Sequence, residues 1–110
     1  MLAVERGFEI LINYLTELTV AGLDAVGLRV PGEKVVAPVE FRKLRDEGGI
    51  SADLCKRLIE FDRTRNDLQH DYPTLQARIL HRAVSELRTH FAAFMRTYPG
   101  WLREHVQDKA

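Results

Sequence analysis

Val4, Phe8, Leu11, Leu15, Leu18, Gly22 and Val26 recur at steps of three and four. An α-helix turns once in about 3.6 residues, so this spacing lays all seven along one face. The pattern holds to about Gly27. Such a helix is long for a globular domain, and it would run the full height of a bundle or lie at an interface. Its apolar stripe needs other helices to cover it. Gly22 either lets one of them approach closely or softens its own helix.

The remaining sequence supplies those helices. Residues 29–38 carry Pro31, Gly32 and Pro38 and read as a loop. A short helix is expected from about Val39 to Glu47, ended by Gly48-Gly49 as a left-handed cap would end it. Ser51 is placed to cap the next helix, with Asp53 favourable against its dipole. That third helix should reach about Asp71, because Pro73 disfavours helical geometry at Tyr72. Thr74 can cap a fourth, whose apolar positions run from Ile79 and Leu80 through Leu87, Phe91, Phe94 and Met95 to Tyr98. Pro99-Gly100 should stop it, leaving a short helical extension over 99–110 anchored by Trp101. Nothing reads as a strand. The expected fold is all-α, an up-and-down bundle of four main helices in a single domain spanning 1–110.

Composition narrows the function. The chain has 16 basic and 16 acidic residues and a pI near 6.9, which argues against a general nucleic-acid binder but leaves room for a local basic site. Arg42, Lys43, Arg45, Lys56, Arg57 and Arg63 are interleaved with acids; they read as solvated helix faces. Cys55 is the single cysteine, so no internal disulfide forms, and the cytoplasm is the simplest compartment. No segment has the ~18 uninterrupted apolar residues of a membrane span. The start lacks the basic and apolar regions of a signal peptide. Metal ligation has little to stand on: Asp67 and His70 could pair on a helix, but no third or fourth ligand has recognisable spacing. His81 and His90 fall on opposite sides of their helix and read as surface residues, and Cys55 as a core-flank thiol. No cofactor is expected.

The third helix holds an anomaly. Leu54, Leu58, Phe61, Leu68 and Tyr72 fall within about 40° of one stripe's centre, and Arg65 falls on the same stripe. A guanidinium keeps its proton, so on an apolar face it must find a carboxylate, a phosphate or open water. His70 lies ~140° from Arg65, alongside Asn66, Ile59 and Cys55, with about 7.5 Å of axial rise between the two. Both could reach one phosphate lying across the helix end. The plainer reading also fits: Arg and His favour the last turn because they complement the dipole, and Tyr72 could be a core aromatic with its hydroxyl at the rim.

Arg65-Asn66-Asp67-Leu68-Gln69-His70-Asp71-Tyr72 resembles the motif of the HEPN superfamily, and most closely that of its HepT-like toxins: Arg-Asn, three residues, His, one residue, Tyr. Val4-Glu5-Arg6, Phe41-Arg42-Lys43-Leu44 before Gly48-Gly49-Ile50, and Leu54 to Leu58 also sit where that family has similar residues, so the resemblance covers about residues 3–98. Two departures stand out. Many members carry another helix ahead of the first one here, and Pro73 follows the motif tyrosine directly.

The resemblance implies a metal-independent endoribonuclease toxin of a type VII toxin–antitoxin pair, assembled as a homodimer with the site at the two-fold interface. Its partner would be a minimal nucleotidyltransferase antitoxin, which adds AMP to the motif tyrosine, here Tyr72. The catalytic pair would be Arg65 and His70, with Asn66 orienting the imidazole or binding substrate. The chemistry is compatible. Self-cleavage of RNA by its 2′-hydroxyl needs a base, an acid and positive charge at the phosphoryl oxygens. His70 titrates near neutral pH, and Arg65 is a fixed planar clamp for phosphate. One histidine cannot serve as acid and base at once, whereas a symmetric dimer brings two. The alternative is a non-catalytic helical module that scaffolds or presents substrate to a nucleotidyltransferase.

Overall fold

A computed structural model describes residues 2–69 and 77–109. Four helices follow one another: α1 (Leu2–Ala25), α2 (Ala37–Asp46), α3 (Ala52–Gln69) and α4 (Ala77–Lys109). No strand occurs among the described residues. α1 packs against the other three, and α3 lies against both α2 and α4. The molecule measures 50 × 28 × 21 Å. The long dimension is set by α4, since 33 residues at ~1.5 Å each span about 50 Å. The expected all-α bundle of four helices is what forms. Where α3 ends, whether Thr74 caps α4, and how His70, Tyr72 and Pro73 are placed all lie outside the described residues.

Local signals fix most helix ends. α2 stops at Gly48, whose φ of 84° is costly for any residue with a Cβ. The turn lets Gly49 N–H donate to Leu44 O (2.9 Å) and Gly48 N–H to Arg45 O (3.0 Å), satisfying carbonyls the helix would otherwise leave open. α1 ends the same way at Gly27, with Leu28 N–H donating to Leu23 O at 2.8 Å. Ser51 Oγ accepts from Leu54 N–H at 3.1 Å, the expected cap of α3. α2 starts two residues before its expected position. Pro38 is accommodated in the first turn, where no N–H is needed, and Glu40 reaches back to accept from Val36 N–H at 3.3 Å.

Pro99-Gly100 does not stop α4, contrary to the sequence expectation; the helix runs through both to Lys109. An interior proline costs roughly 3 kcal/mol. What offsets it lies on either side. Tyr98 and Trp101 are both buried and their rings stack 6.1 Å apart, with Phe94 stacked on Tyr98 at 4.7 Å. Each buried aromatic contributes on the order of 1.5–3 kcal/mol. Trp101 Nε1–H also donates to Glu47 O at 2.9 Å, closing the carbonyl end of α2. The extension is thus a continuation of α4 that ties it to α2.

The core is a single apolar cluster in which Phe8, Ile12, Leu15, Leu58, Leu87 and Phe94 are almost fully excluded from water. Gly22 sits where α4 crosses α1. A Cβ there would overlap the Tyr98 hydroxyl, which donates to Leu18 O on α1. Close approach, not softening, is therefore its role. Two residues of α4 depart from expectation. Met95 is 38% exposed, outside the apolar stripe. His90 is half-buried, not a surface residue: its ring meets the edge of Phe61 at 5.6 Å and its Nδ1 lies 2.7 Å from Glu86 O.

The loop between α1 and α2 is held by Arg29, whose side chain is 5% exposed. Its Nε donates to Glu40 Oε1 (3.0 Å), Nη1 to Asp24 Oδ1 (3.3 Å) and Nη2 to Glu33 O (3.0 Å). Desolvation works against its charge, and the bonds to Glu40 and Asp24 outweigh that, so its pKa is raised. Lys43 Nζ reaches Glu33 Oε2 at 2.7 Å, and this bond holds the Glu33 carboxyl below its ordinary range.

Candidate active site

α3 has two kinds of face, and the motif residues it describes divide between them. Leu54, Leu58 and Phe61 point into the core, and Phe61 packs edge-on against Phe8 of α1 at 6.1 Å. One turn further on, the same stripe stops being apolar. Asp62 is 3% exposed and Arg65 follows it at i+3. The guanidinium that the stripe makes anomalous has found a carboxylate: Arg65 Nη2 donates to Asp62 Oδ1 at 2.5 Å. Its Nη1 donates to Asn13 Oδ1 of α1, also at 2.5 Å. Arg65 is thus held between two helices, with 18% of its side chain exposed.

This grip is incomplete. Arg65 Nε is buried and has no hydrogen-bond partner among the described residues. A buried donor left unmade costs about 1–3 kcal/mol, so the arrangement is poorer than the geometry of a guanidinium allows. A guanidinium forks naturally onto two oxygens of one anion, and here its fork is split between two different residues. Asp62 shows the other side of the bargain. Burial raises its pKa, and Arg65 only partly opposes the shift.

Asn66 and Asp67 follow on the exposed side of α3. Arg65 and Asn66 therefore sit on one helical turn but address different surroundings, one half-buried against α1 and one in solvent. His70 and Tyr72 lie outside the described residues, so their expected roles are not placed by the structure. Two participants were missed by the sequence reading. Asp62 had a usable signal, a carboxylate three residues upstream of Arg65 and so within its reach on the helix. Asn13 had none, since 52 residues separate it from Arg65.

Among the described residues no group of three or more His, Cys, Asp or Glu is gathered to hold a metal ion. Cys55 is 1% exposed, and burial pushes its thiol up, which keeps it protonated and unreactive. Among the described residues no helix is long and apolar enough to cross a membrane.

No curated protein and no solved structure matches this sequence closely enough to compare. A family model described as Ribonuclease HepT-like matches residues 1–98, which takes in all of α1, α2 and α3, the motif octet and most of α4. On that match the chain belongs to the HepT-like ribonuclease family.

Proposed function

We propose that this chain is a metal-independent endoribonuclease toxin in which Arg65 clamps the scissile phosphate and His70 moves the proton. The observation that carries the reading is Arg65 itself, a half-buried guanidinium aimed by Asp62 and Asn13 with one N–H unpartnered among the described residues. In the proposed reaction the ribose 2′-oxygen attacks phosphorus and the bond to the 5′-oxygen breaks. The 2′-hydroxyl proton goes to a base, and an acid protonates the departing 5′-oxygen. The product is a 2′,3′-cyclic phosphate. Arg65 would offset charge building on the phosphoryl oxygens. His70 is the motif group able to trade protons near neutral pH, and two copies in a homodimer would supply acid and base together. Asn66 would orient the imidazole or hold the substrate.

The homodimer is part of the proposal. It is supported by the surface around Asn13. Tyr14 follows it directly, Ile10 lies one turn back, and these are 48% and 59% exposed. Tyr14 stacks on Phe91 of α4 at 6.0 Å, so the patch continues across both helices. Light scattering should report a dimer; a species of about 12.6 kDa at micromolar concentration would contradict it.

The partner in this reading is a minimal nucleotidyltransferase antitoxin that transfers AMP from ATP to Tyr72, with pyrophosphate leaving. The added phosphate would pair with Arg65 as a substrate phosphate otherwise would. Mass spectrometry after incubation with partner and ATP should find one or more AMP additions in wild type and none in Tyr72→Phe. An unmodified Tyr72 with toxicity still neutralised would mean inhibition by binding alone.

The deciding experiment is incubation of the purified chain with total RNA in EDTA. Cleavage should persist, leave cyclic phosphate ends, and fall at least ~100-fold in His70→Ala and in Arg65→Ala. Loss of activity on chelation, or full activity in either variant, would sink the assignment.

A further inference from the structure

A second charged feature lies on the other side of α3. Between α2 and α3 runs a groove of about 480 Å³, with Arg42 and Arg45 on one wall and Lys56 and Arg63 on the other. Ile59 lies between the α3 cations, and Asp53 and Glu60 also line the groove. Two of its charges are spoken for: Arg45 pairs with Asp46 at 2.9 Å, and Glu60 is taken by Arg57 at 2.7 Å. Arg42, Lys56 and Arg63 make no ion pair among the described residues, and all three are exposed. Among the described residues three unpaired cations thus share the groove with Asp53 and the Arg57-paired Glu60, in a chain whose net charge is zero.

Their arrangement is directional. Lys56 and Arg63 are seven residues apart, two turns of the same face, or about 10.5 Å along the helix. By helical period Asn66 lies toward that stripe, whereas Arg65 lies on the opposite face. A groove of free, solvated cations with an apolar floor suits a polyanion better than a compact ligand, because each phosphate contact gains from released counterions.

We infer that the α2–α3 groove is a binding track for the phosphate backbone of single-stranded RNA, with Arg42, Lys56 and Arg63 as its contacts. This rests on the ribonuclease reading for its substrate class. The track carries no sequence information; it holds the strand so that it enters the catalytic end along α3.

The test is fluorescence anisotropy with a labelled 2′-O-methyl oligoribonucleotide, which lacks the nucleophile and cannot be cleaved. The triple variant Arg42→Gln, Lys56→Gln, Arg63→Gln should bind at least tenfold more weakly than wild type. Its plot of log affinity against log salt should be shallower by about 2, the loss of three single-strand contacts. The three positions are exposed, so circular dichroism and the melting midpoint should match wild type. A charge-matched control on α4, Arg88→Gln, Arg96→Gln, Arg103→Gln, should bind like wild type. The inference is overturned if the groove variant keeps wild-type affinity and slope, if the control loses as much, or if wild type binds a poly-glutamate peptide but no oligonucleotide. A weakened groove variant in a protein that cuts no RNA would uphold the track and reject the ribonuclease reading instead.

Discussion

Arg29 and Arg65 are both guanidiniums largely withdrawn from water, and they are treated differently. Arg29 has an acceptor at each of its three nitrogens, and Asp24, Glu33 and Glu40 surround it with more negative charge than it carries. Among the described residues Arg65 has one carboxylate, one amide oxygen and an Nε without an acceptor. An arginine bonded at every nitrogen and ringed by three carboxylates has little pull on another anion, and its work is to fasten the α1–α2 loop. An arginine short of acceptors keeps an appetite for one more anion. Burial alone therefore does not distinguish a structural arginine from a functional one; what does is whether each nitrogen is bonded and how much negative charge surrounds it.

The largest effect that could break this comparison is on catalysis. Arg65→Gln should lower the cleavage rate at least ~100-fold, the usual scale for losing a charged contact to the reacting group. Arg29→Gln should leave the rate per folded molecule near wild type while lowering the melting midpoint. Equal losses in both variants, measured in single turnover on folded protein, would erase the distinction.

Stability sharpens it next. Removing Arg65 leaves Asp62 buried without its partner, at a cost of about 1–3 kcal/mol. Arg65→Ala alone therefore confounds catalysis with folding. The double variant Asp62→Asn, Arg65→Ala should recover most of that loss in urea denaturation and still fail to cut RNA. A double variant no more stable than the single one would mean that Asp62 and Arg65 are not coupled.

How much of this the sequence disclosed depends on how local the cause was. The α1 stripe, the Gly48 turn and the Ser51 cap are decided within a few residues, and each was readable from its neighbours. The anomaly of Arg65 was readable too, because a charge at the centre of an apolar stripe stands out in any helical projection. Its solution was only half readable: Asp62 sits one turn away, but Asn13 belongs to another helix. Pro99 was misread for the same reason. The local rule ends a helix there, and the contacts that overrule it, Trp101 on Glu47 and Tyr98 on Leu18, join segments 54 and 80 residues apart. The half-burial of His90 likewise follows from Phe61 on a different helix.

The smallest expected effect is a contrast in pH dependence. The Glu33 carboxyl is held below its ordinary value of 4.5 by Lys43, so its contribution is present above that pH and is lost as pH falls through the lower folded value. Asp62 is raised above its ordinary 3.8 by burial, so its contribution is full below that pH and is lost as pH rises through the raised value. Urea unfolding from acid to neutral pH should show Lys43→Met flattening the acid limb and Asp62→Asn removing the opposite slope. If both variants shift the same limb in the same direction, the two carboxylates are not held as described.

The most direct measurement of the central claim follows the two arginine side chains themselves. In a ¹⁵N–¹H spectrum of the guanidinium region, an uncleavable 2′-O-methyl oligoribonucleotide should move the Arg65 Nε resonance, because a phosphate at the exposed Nη1 edge redistributes the bonds to Asn13 and Asp62. Arg29 Nε, already bonded to Glu40, should stay where it is. An unmoved Arg65 resonance at saturating oligonucleotide, or equal movement of both, would contradict the account.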